Sequence, residues 1–220
     1  MPGSTIFFLL LVGAVGACRL VELRLSRRHQ RAMAAGGAAP LPERVFPAMV
    51  ALHTGILAAA VIETLLAGRP FIPALAIPAV ALVVLANALR FWVIATLGLQ
   101  WNVRVVESTP ALGVVTHGPY RFVRHPNYVA VFVELAALPL VHGAYLTAIA
   151  GALLHVAILR RRIGLEESVL MADESYRRAF DRKPRFLPLP FGTPKGSRAP
   201  RDELRAGDPR SAPRDPWPTS

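Results

Sequence analysis

The stretch His117-Gly118-Pro119-Tyr120-Arg121-Phe122-Val123-Arg124-His125-Pro126-Asn127-Tyr128 holds two arginines, two histidines, two tyrosines and two prolines, directly before an apolar run that opens at Val129. Hydrophobic blocks long enough to cross a membrane lie on both sides of it. A plain linker between such blocks needs no such composition. A membrane-surface site that grips a polar small molecule does.

The 220 residues are 53% hydrophobic with a mean hydropathy of +0.41, too apolar for an ordinary soluble domain and typical of an integral membrane protein. A bilayer core of about 30 Å takes about 20 helical residues. The first candidate span covers residues 5–21, followed by a basic helical connector over 22–31 and a small-residue loop at Ala34-Ala35-Gly36-Gly37. The second covers 46–67 and ends at the turn Gly68-Arg69-Pro70, and the third covers 71–97. The fourth apolar block, 129–159, is too long for one upright helix and is interrupted at Pro139-Leu140-Val141-His142-Gly143. It reads as a helical hairpin, with a short arm from Tyr128 and a longer arm over 144–159; a single tilted, kinked helix is the alternative.

The formal charge of +11 is concentrated in segments 19–44, 100–124 and beyond Arg160, while the turns at Arg69 and His142 are nearly bare. The positive-inside rule then places the rich segments in the cytoplasm, giving five crossings with the N-terminus outside and the C-terminus inside. No basic face is interleaved with exposed aromatics, so nucleic acid is not an expected partner. Cys18 is the only cysteine, which excludes an intrachain disulfide and a cysteine-built zinc site, and no metal centre is expected. Val15-Gly16-Ala17-Cys18 faintly resembles a lipoprotein cleavage site, but its arginines follow the apolar stretch rather than precede it, so a retained helix is expected. The organisation expected is three N-terminal transmembrane helices over 1–97, a catalytic region with the hairpin over 98–191, and a Pro-, Gly- and Arg-rich disordered tail over 192–220.

A second unusual segment follows the hairpin: Arg160-Arg161-Arg162-Ile163-Gly164-Leu165-Glu166-Glu167, with Tyr176 beyond it. On a continuing helix Arg162 and Glu166 share a face, being four residues apart. A solvated surface ion pair is the plain reading of that pair alone. Two such segments on one membrane face argue for a shared site.

The ordered set Gly118-Pro119-Tyr120, Arg124-His125-Pro126-Asn127-Tyr128, an apolar hairpin, then Arg162 with Glu166-Glu167 resembles the isoprenylcysteine carboxyl methyltransferase family over about residues 101–188. Membrane phospholipid methyltransferases are similar in the same order. The resemblance implies a small all-α membrane enzyme that uses S-adenosyl-L-methionine without a Rossmann fold, and no G-x-G-x-x-G is present to argue otherwise. It implies a cofactor site at Leu112, Gly113, Val114, Val115, Tyr120, His125, Pro126, Asn127, Tyr128 and Glu166, and it places on Arg162 the arginine that faces the methyl acceptor. The strip at 112–115 aligns only loosely, because the chain is shorter between Val106 and Leu112. The stretch Arg90-Phe91-Trp92-Val93-Ile94 to Leu99 is similar to bacterial members that O-methylate alkylresorcinols and alkylpyrones.

Residue chemistry suits these roles. Glu166 can take the ammonium or ribose hydroxyls of the cofactor, Tyr120 or Tyr128 can cover the adenine, and His125 can bind a polar edge. The acceptor is expected from the bilayer, as a lipophilic small molecule or a prenylated group. A carboxylate acceptor needs a cation and no base, whereas a phenolic or enolic hydroxyl, with a pKa near about 10, needs a base. Glu134 and His155, both within apolar spans, and His125 are the candidates for that base, beside Arg162 as the cation; the plain alternatives are a structural partnership of Glu134 with Asn87 or Arg90 and core packing of His155. Phospholipid N-methylation and a non-catalytic membrane scaffold are the competing functions.

Overall fold

The computed structural model describes residues 2–35, 37, 45–104 and 113–187, and among these every regular element is helical. Helix α1 (Gly3–Ala34) is 32 residues long, about 48 Å at 1.5 Å per residue. It absorbs both the first span and the basic connector that follows it. Its buried positions, Thr5, Phe8, Val12, Val15, Glu22, Ser26, His29 and Met33, recur every three or four residues along one stripe. That stripe changes from apolar to polar partway along, so one rigid rod carries an apolar packing surface and then a polar one.

Helices α2 (Val45–Leu66) and α3 (Pro73–Leu97) complete three that are long and apolar enough to cross a membrane. Gly68, at φ +54°, turns the chain between them, and Pro73 starts α3 at a position where its missing N–H is no loss. A 3₁₀ turn at Gly98–Gln100 ends α3, and a second at Gly118–Arg121 leads into the hairpin. The hairpin is α4 (Pro126–Leu140) and α5 (Tyr145–Leu170), joined at Gly143 with φ +70°. The fourth block is therefore two packed arms and not one kinked helix. At 15 residues, α4 rises about 22 Å, short of the roughly 30 Å hydrocarbon thickness. The short helix α6 (Glu174–Phe180) is capped by Asp173, whose side chain accepts from the Ser175 and Tyr176 amides.

Helix α4 packs against α3 and α5, and α5 packs against α2. Lipid tails supply no hydrophobic drive between helices, so close approach of small residues carries the association. The core obeys this, with Ala60, Ala79, Ala137 and Ala144 among Phe8, Val12, Val15, Val83, Leu138 and Val141. At Gly151 of α5 the Ile56 side chain of α2 packs so close that an added Cβ would sit 2.9 Å from its Cδ1 and Cγ1.

No side chain of its own caps α5. Glu63 of α2 does so instead, accepting from Leu146 N at 3.1 Å and from Thr147 N and Oγ1 at 2.8 Å each. A carboxylate at a helix N-terminus satisfies orphan amides and meets the positive end of the helix dipole. Arg69 closes the group at 3.3 Å from Glu63.

Gly151→Ala is expected to lower stability by about 1–3 kcal/mol through overpacking against Ile56. Detergent denaturation followed by circular dichroism should show Gly151→Ala with Ile56→Ala costing less than the sum of the two single changes.

Candidate active site

Two polar strips descend onto the hairpin from elements before it. The strip after α3 is held by the polar half of α1: His29 Nδ1 donates to the Trp101 carbonyl at 2.7 Å, and Val103 N donates to Ser26 Oγ at 3.1 Å. The 3₁₀ turn at Gly118–Arg121 is seated on α3 at Thr96. Gly118 has φ +58°, and a Cβ there would lie 2.5 Å from Thr96 Oγ1, so only glycine fits both the backbone and the space.

Pro126 then starts α4 and points its first turn at α5. Arg162 Nε donates to Tyr128 Oη at 2.9 Å, and the same hydroxyl donates to Glu166. The four-residue spacing of Arg162 and Glu166 thus brackets one phenol. Arg162 also donates to the Val103 carbonyl and lies 3.1 Å from the Met49 sulfur, so it joins α5, α4, α2 and the strip after α3.

Glu167 faces a different set. It accepts from Arg185 Nε at 3.0 Å and Nη2 at 2.6 Å, meets His125 Nε2 at 3.0 Å, and lies 3.4 Å from Arg124. Backbone bonds add to this strap: Arg124 N donates to Pro184 O at 2.9 Å and His125 N to Arg185 O at 3.0 Å. Lys183 reaches the Tyr120 carbonyl at 2.9 Å and lies over Phe180 at 4.3 Å. Residues 183–186 therefore lie across Arg124 and His125.

Burial raises the Glu167 carboxyl pKa, but the Arg185 and His125 hydrogen bonds and charges outweigh it, and the net value lies below the usual range. The Tyr120 phenol is pushed well up, first by burial and then by the Glu166 and Tyr176 oxygens. Tyr120 is neutral throughout the physiological range, as a surface for stacking requires. Phe180 meets its ring edge-on at 6.5 Å, and Tyr176 stacks on Phe180 at 4.5 Å.

These groups wall one cavity of about 500 Å³, within the roughly 300–1,000 Å³ common for small-molecule sites. Gly113, Val114, Val115, Tyr120, His125, Asn127, Tyr128, Glu166, Arg162 and His155 all line it. Pro126 is buried beneath the wall, and Leu112 lies outside the described residues. Glu134 is not on this wall. It pairs with Arg19 at 3.2 Å, inside a network in which Arg19 also meets Asn87 at 3.0 Å and Glu22 at 2.9 Å, and Arg90 Nε meets Glu22 at 2.7 Å. Its ion-pair partner is thus an arginine from α1, Asn87 hydrogen-bonds it as well, and Arg90 is taken by Glu22.

Several further wall residues were not among the expected site residues. Trp101, Met49, His53, Phe180, and the Arg19–Glu22–Arg90 group reach the cavity only because distant segments converge. Among the described residues, four buried polar atoms of wall residues have no hydrogen-bond partner: Arg19 Nε, Trp101 Nε1, Asn127 Oδ1 and His155 Nε2. Such atoms normally find a hydrogen bond, so these mark places for a ligand or water.

The model of the isoprenylcysteine carboxyl methyltransferase (ICMT) family matches residues 79–172. That region starts inside α3 and contains the arms of the hairpin and every polar group on its facing ends. An uncharacterized protein of Haemophilus influenzae is 30% identical over 166 residues, 75% of this chain and 95% of that protein. The chain belongs to the isoprenylcysteine carboxyl methyltransferase family. YpbQ of Bacillus subtilis, also described as uncharacterized, is 29% identical over 164 residues, 74% of this chain and 96% of its own length. Among solved structures, the eukaryotic intramembrane Ras methyltransferase ICMT is similar with a TM-score of 0.47 and 26% identity, over 61% of this chain and 50% of that one. As a member of the family, and with its long apolar helices, the chain is a membrane methyltransferase.

Because the folded pKa of Glu167 lies below its unfolded value of about 4.3, the strap's contribution is present above that pH and fades as the carboxyl is protonated in more acid solution. Thermal stability should therefore fall with pH below about 4.3, with a weaker slope in Glu167→Gln. At neutral pH the same variant should be cut by trypsin after Arg185 about 10-fold faster than the parent, because a frayed strap exposes that bond.

Proposed function

We propose that this protein transfers a methyl group from S-adenosyl-L-methionine to an oxygen of a lipophilic acceptor drawn from the bilayer, a phenolic or polyketide-type hydroxyl or an isoprenylcysteine-type carboxylate. The observation that carries the proposal is the cavity itself. Its wall includes the Glu166 carboxylate, the orphaned Asn127 Oδ1 and the Tyr120–Phe180–Tyr176 aromatic group, and also Leu20, Leu23, Val50, Leu57, Val131 and Ile158. A polar, charged cofactor suits the first set, and a greasy acceptor suits the second.

The donor set fits the cofactor by chemistry. Glu166 and Asn127 Oδ1 offer acceptors to an ammonium, an exocyclic amine or ribose hydroxyls. Neutral Tyr120 offers a stacking face to adenine. When bound, S-adenosyl-L-methionine supplies an electrophilic methyl carbon on a sulfonium. The protein's part is then to position and to exclude water. Tyr128, held between Arg162 and Glu166, fixes α4 against α5, and the 183–186 strap covers Arg124 and His125. Arg162 supplies positive charge where an acceptor oxygen would sit.

In the membrane, we propose five crossings with this site on the cytoplasmic side, where the cofactor is available. The arginine-rich segments support that orientation. Leu112, next to Gly113, and the 98–191 region as a catalytic unit belong to the same proposal.

Isothermal titration of the detergent-solubilised protein with S-adenosyl-L-methionine should give saturable binding. Glu166→Ala should weaken it by about 10- to 150-fold, the equivalent of roughly 1.5–3 kcal/mol for a charge-assisted hydrogen bond. Absence of binding by the folded parent would favour the scaffold reading instead. In a Cys18→Ala background, Ser168→Cys should resist an impermeant maleimide added to intact cells while Ala67→Cys reacts. The opposite pattern would overturn the orientation.

A further inference from the structure

Among the described residues, the arginines on the cavity wall are Arg19, Arg90, Arg104, Arg124 and Arg162. Arg19 and Arg90 hold Glu22, and Arg19 also holds Glu134. Arg124 donates to the Lys183 carbonyl at 2.8 Å and lies 3.4 Å from Glu167. Arg162 donates to Tyr128 and to the Val103 carbonyl. Arg104 differs from these. Among the described residues its guanidinium has no hydrogen bond or ion pair, and it lies over the Phe46 ring, 4.6 Å from the centroid. Phe46 lines the same cavity. A guanidinium that rests its flat face on an aromatic ring keeps its N–H edge free for an anion.

Contacts between α2 and α5 fix the level at which this group stands. The two helices run antiparallel, and Glu63 meets Thr147, Ile56 faces Gly151, His53 meets His155 and Met49 meets Arg162 in turn. One further turn in the same direction brings Phe46 on α2 level with Glu166 on α5. The backbone beside Arg104 is held there too, since Val103 N donates to Ser26 and its carbonyl accepts from Arg162. Glu166 accepts from Tyr128 through Oε2, and nothing among the described residues donates to its Oε1. An open guanidinium and an open carboxylate oxygen thus share one level of the cavity without being paired to each other.

We infer that Arg104 binds the carboxylate of the cofactor's amino-acid end, while Glu166 holds the ammonium on the same carbon. The inference rests on the S-adenosyl-L-methionine reading above. That ligand carries two positive groups, the sulfonium and the ammonium, and one negative group. A bare guanidinium on the wall repels the first two and attracts the third, so it favours this ligand only where the carboxylate lies. An acid and a base at one level match the two charges of an α-amino acid. Arg104 is therefore a specificity residue. It separates the cofactor from adenosine compounds whose side chain is uncharged or purely cationic. Phe46 acts through Arg104 and is a positioning residue.

The test is isothermal titration of the purified full chain in lipid nanodiscs with two ligands, S-adenosyl-L-methionine and its decarboxylated form, which lacks only the carboxylate. The parent should bind the first more tightly by about 10-fold or more, the range of a charge-assisted hydrogen bond. Arg104→Gln should lower S-adenosyl-L-methionine affinity by a similar factor and leave the decarboxylated ligand within about 2-fold of the parent. Arg104→Lys should fall between, because it keeps the charge and loses the fork. Phe46→Leu should weaken S-adenosyl-L-methionine by about 3-fold, as expected for a lost cation–π contact, and spare the decarboxylated ligand. Glu166→Gln should weaken both ligands, because both keep the ammonium.

Parent-like affinity for S-adenosyl-L-methionine in Arg104→Gln, or a parent that binds the two ligands alike, would overturn the inference. If Arg104→Gln misfolds and loses both ligands, Arg104→Lys and Phe46→Leu carry the test: selective loss of S-adenosyl-L-methionine sustains the inference and equal loss overturns it. Failure of the parent to bind either ligand would instead overturn the cofactor reading on which it rests.

Discussion

The Tyr128 hydroxyl, set between Arg162 and Glu166, is the contact on which the rest of the site depends. It ties the first turn of α4 to the end of α5, and through Arg162 it reaches α2 and the strip after α3. At the opposite end of the same hairpin, Glu63 fastens the start of α5 to α2. The arms are thus pinned by polar links at both ends. Between them the packing is made of alanines, glycines and short aliphatic chains whose contacts are individually weak. Loss of either polar end would leave the arms free to slide, because small-residue packing alone specifies register poorly.

The interior polarity of the bundle follows from the solvent. Charged groups within lipid-facing helices must pair or line a cavity, and both outcomes appear here. Arg19, Glu22, Arg90, Asn87 and Glu134 form a connected group across α1, α3 and α4. Its arginines also form part of the cavity wall. One network therefore joins three helices and supplies positive charge to the chamber. The helices themselves explain why it lies there: the buried stripe of α1 passes from Val15 to Glu22 without a break in helical phase.

Cavity and strap make different use of two adjacent glutamates. Glu166 lines the cavity and accepts from Tyr128, while its neighbour Glu167 is consumed by Arg185, His125 and Arg124. Adjacent residues on a helix point about 100° apart, which is why a paired-glutamate motif can serve two purposes. The outer carboxylate fastens the 183–186 strap over Arg124 and His125, and the inner one lines the cavity. Methyl transfer has little covalent chemistry for a protein to perform. Closure and orientation are the effects that such an arrangement can supply.

Much of this was legible in the residues. Hydropathy defines the three long helices and the broken fourth block, because a bilayer demands about 20 apolar residues per helical crossing whatever the fold. The polar run from His117 to Tyr128, the Arg162–Glu166 spacing and the Glu166-Glu167 pair mark the site, since such groups next to apolar spans need a reason to be there. Only the tertiary structure decided that Tyr128 is shared by Arg162 and Glu166, that Glu134 belongs to Arg19, and that His53 stands against His155 across 102 positions of chain. It also brought Trp101 and Phe180 to the wall, for which no local pattern speaks. The physical reason is one of range. Hydropathy, helical phase and turn chemistry act over a few residues and can be read along the chain, whereas hydrogen-bond partners and cavity walls depend on how separate helices are rotated and registered against one another.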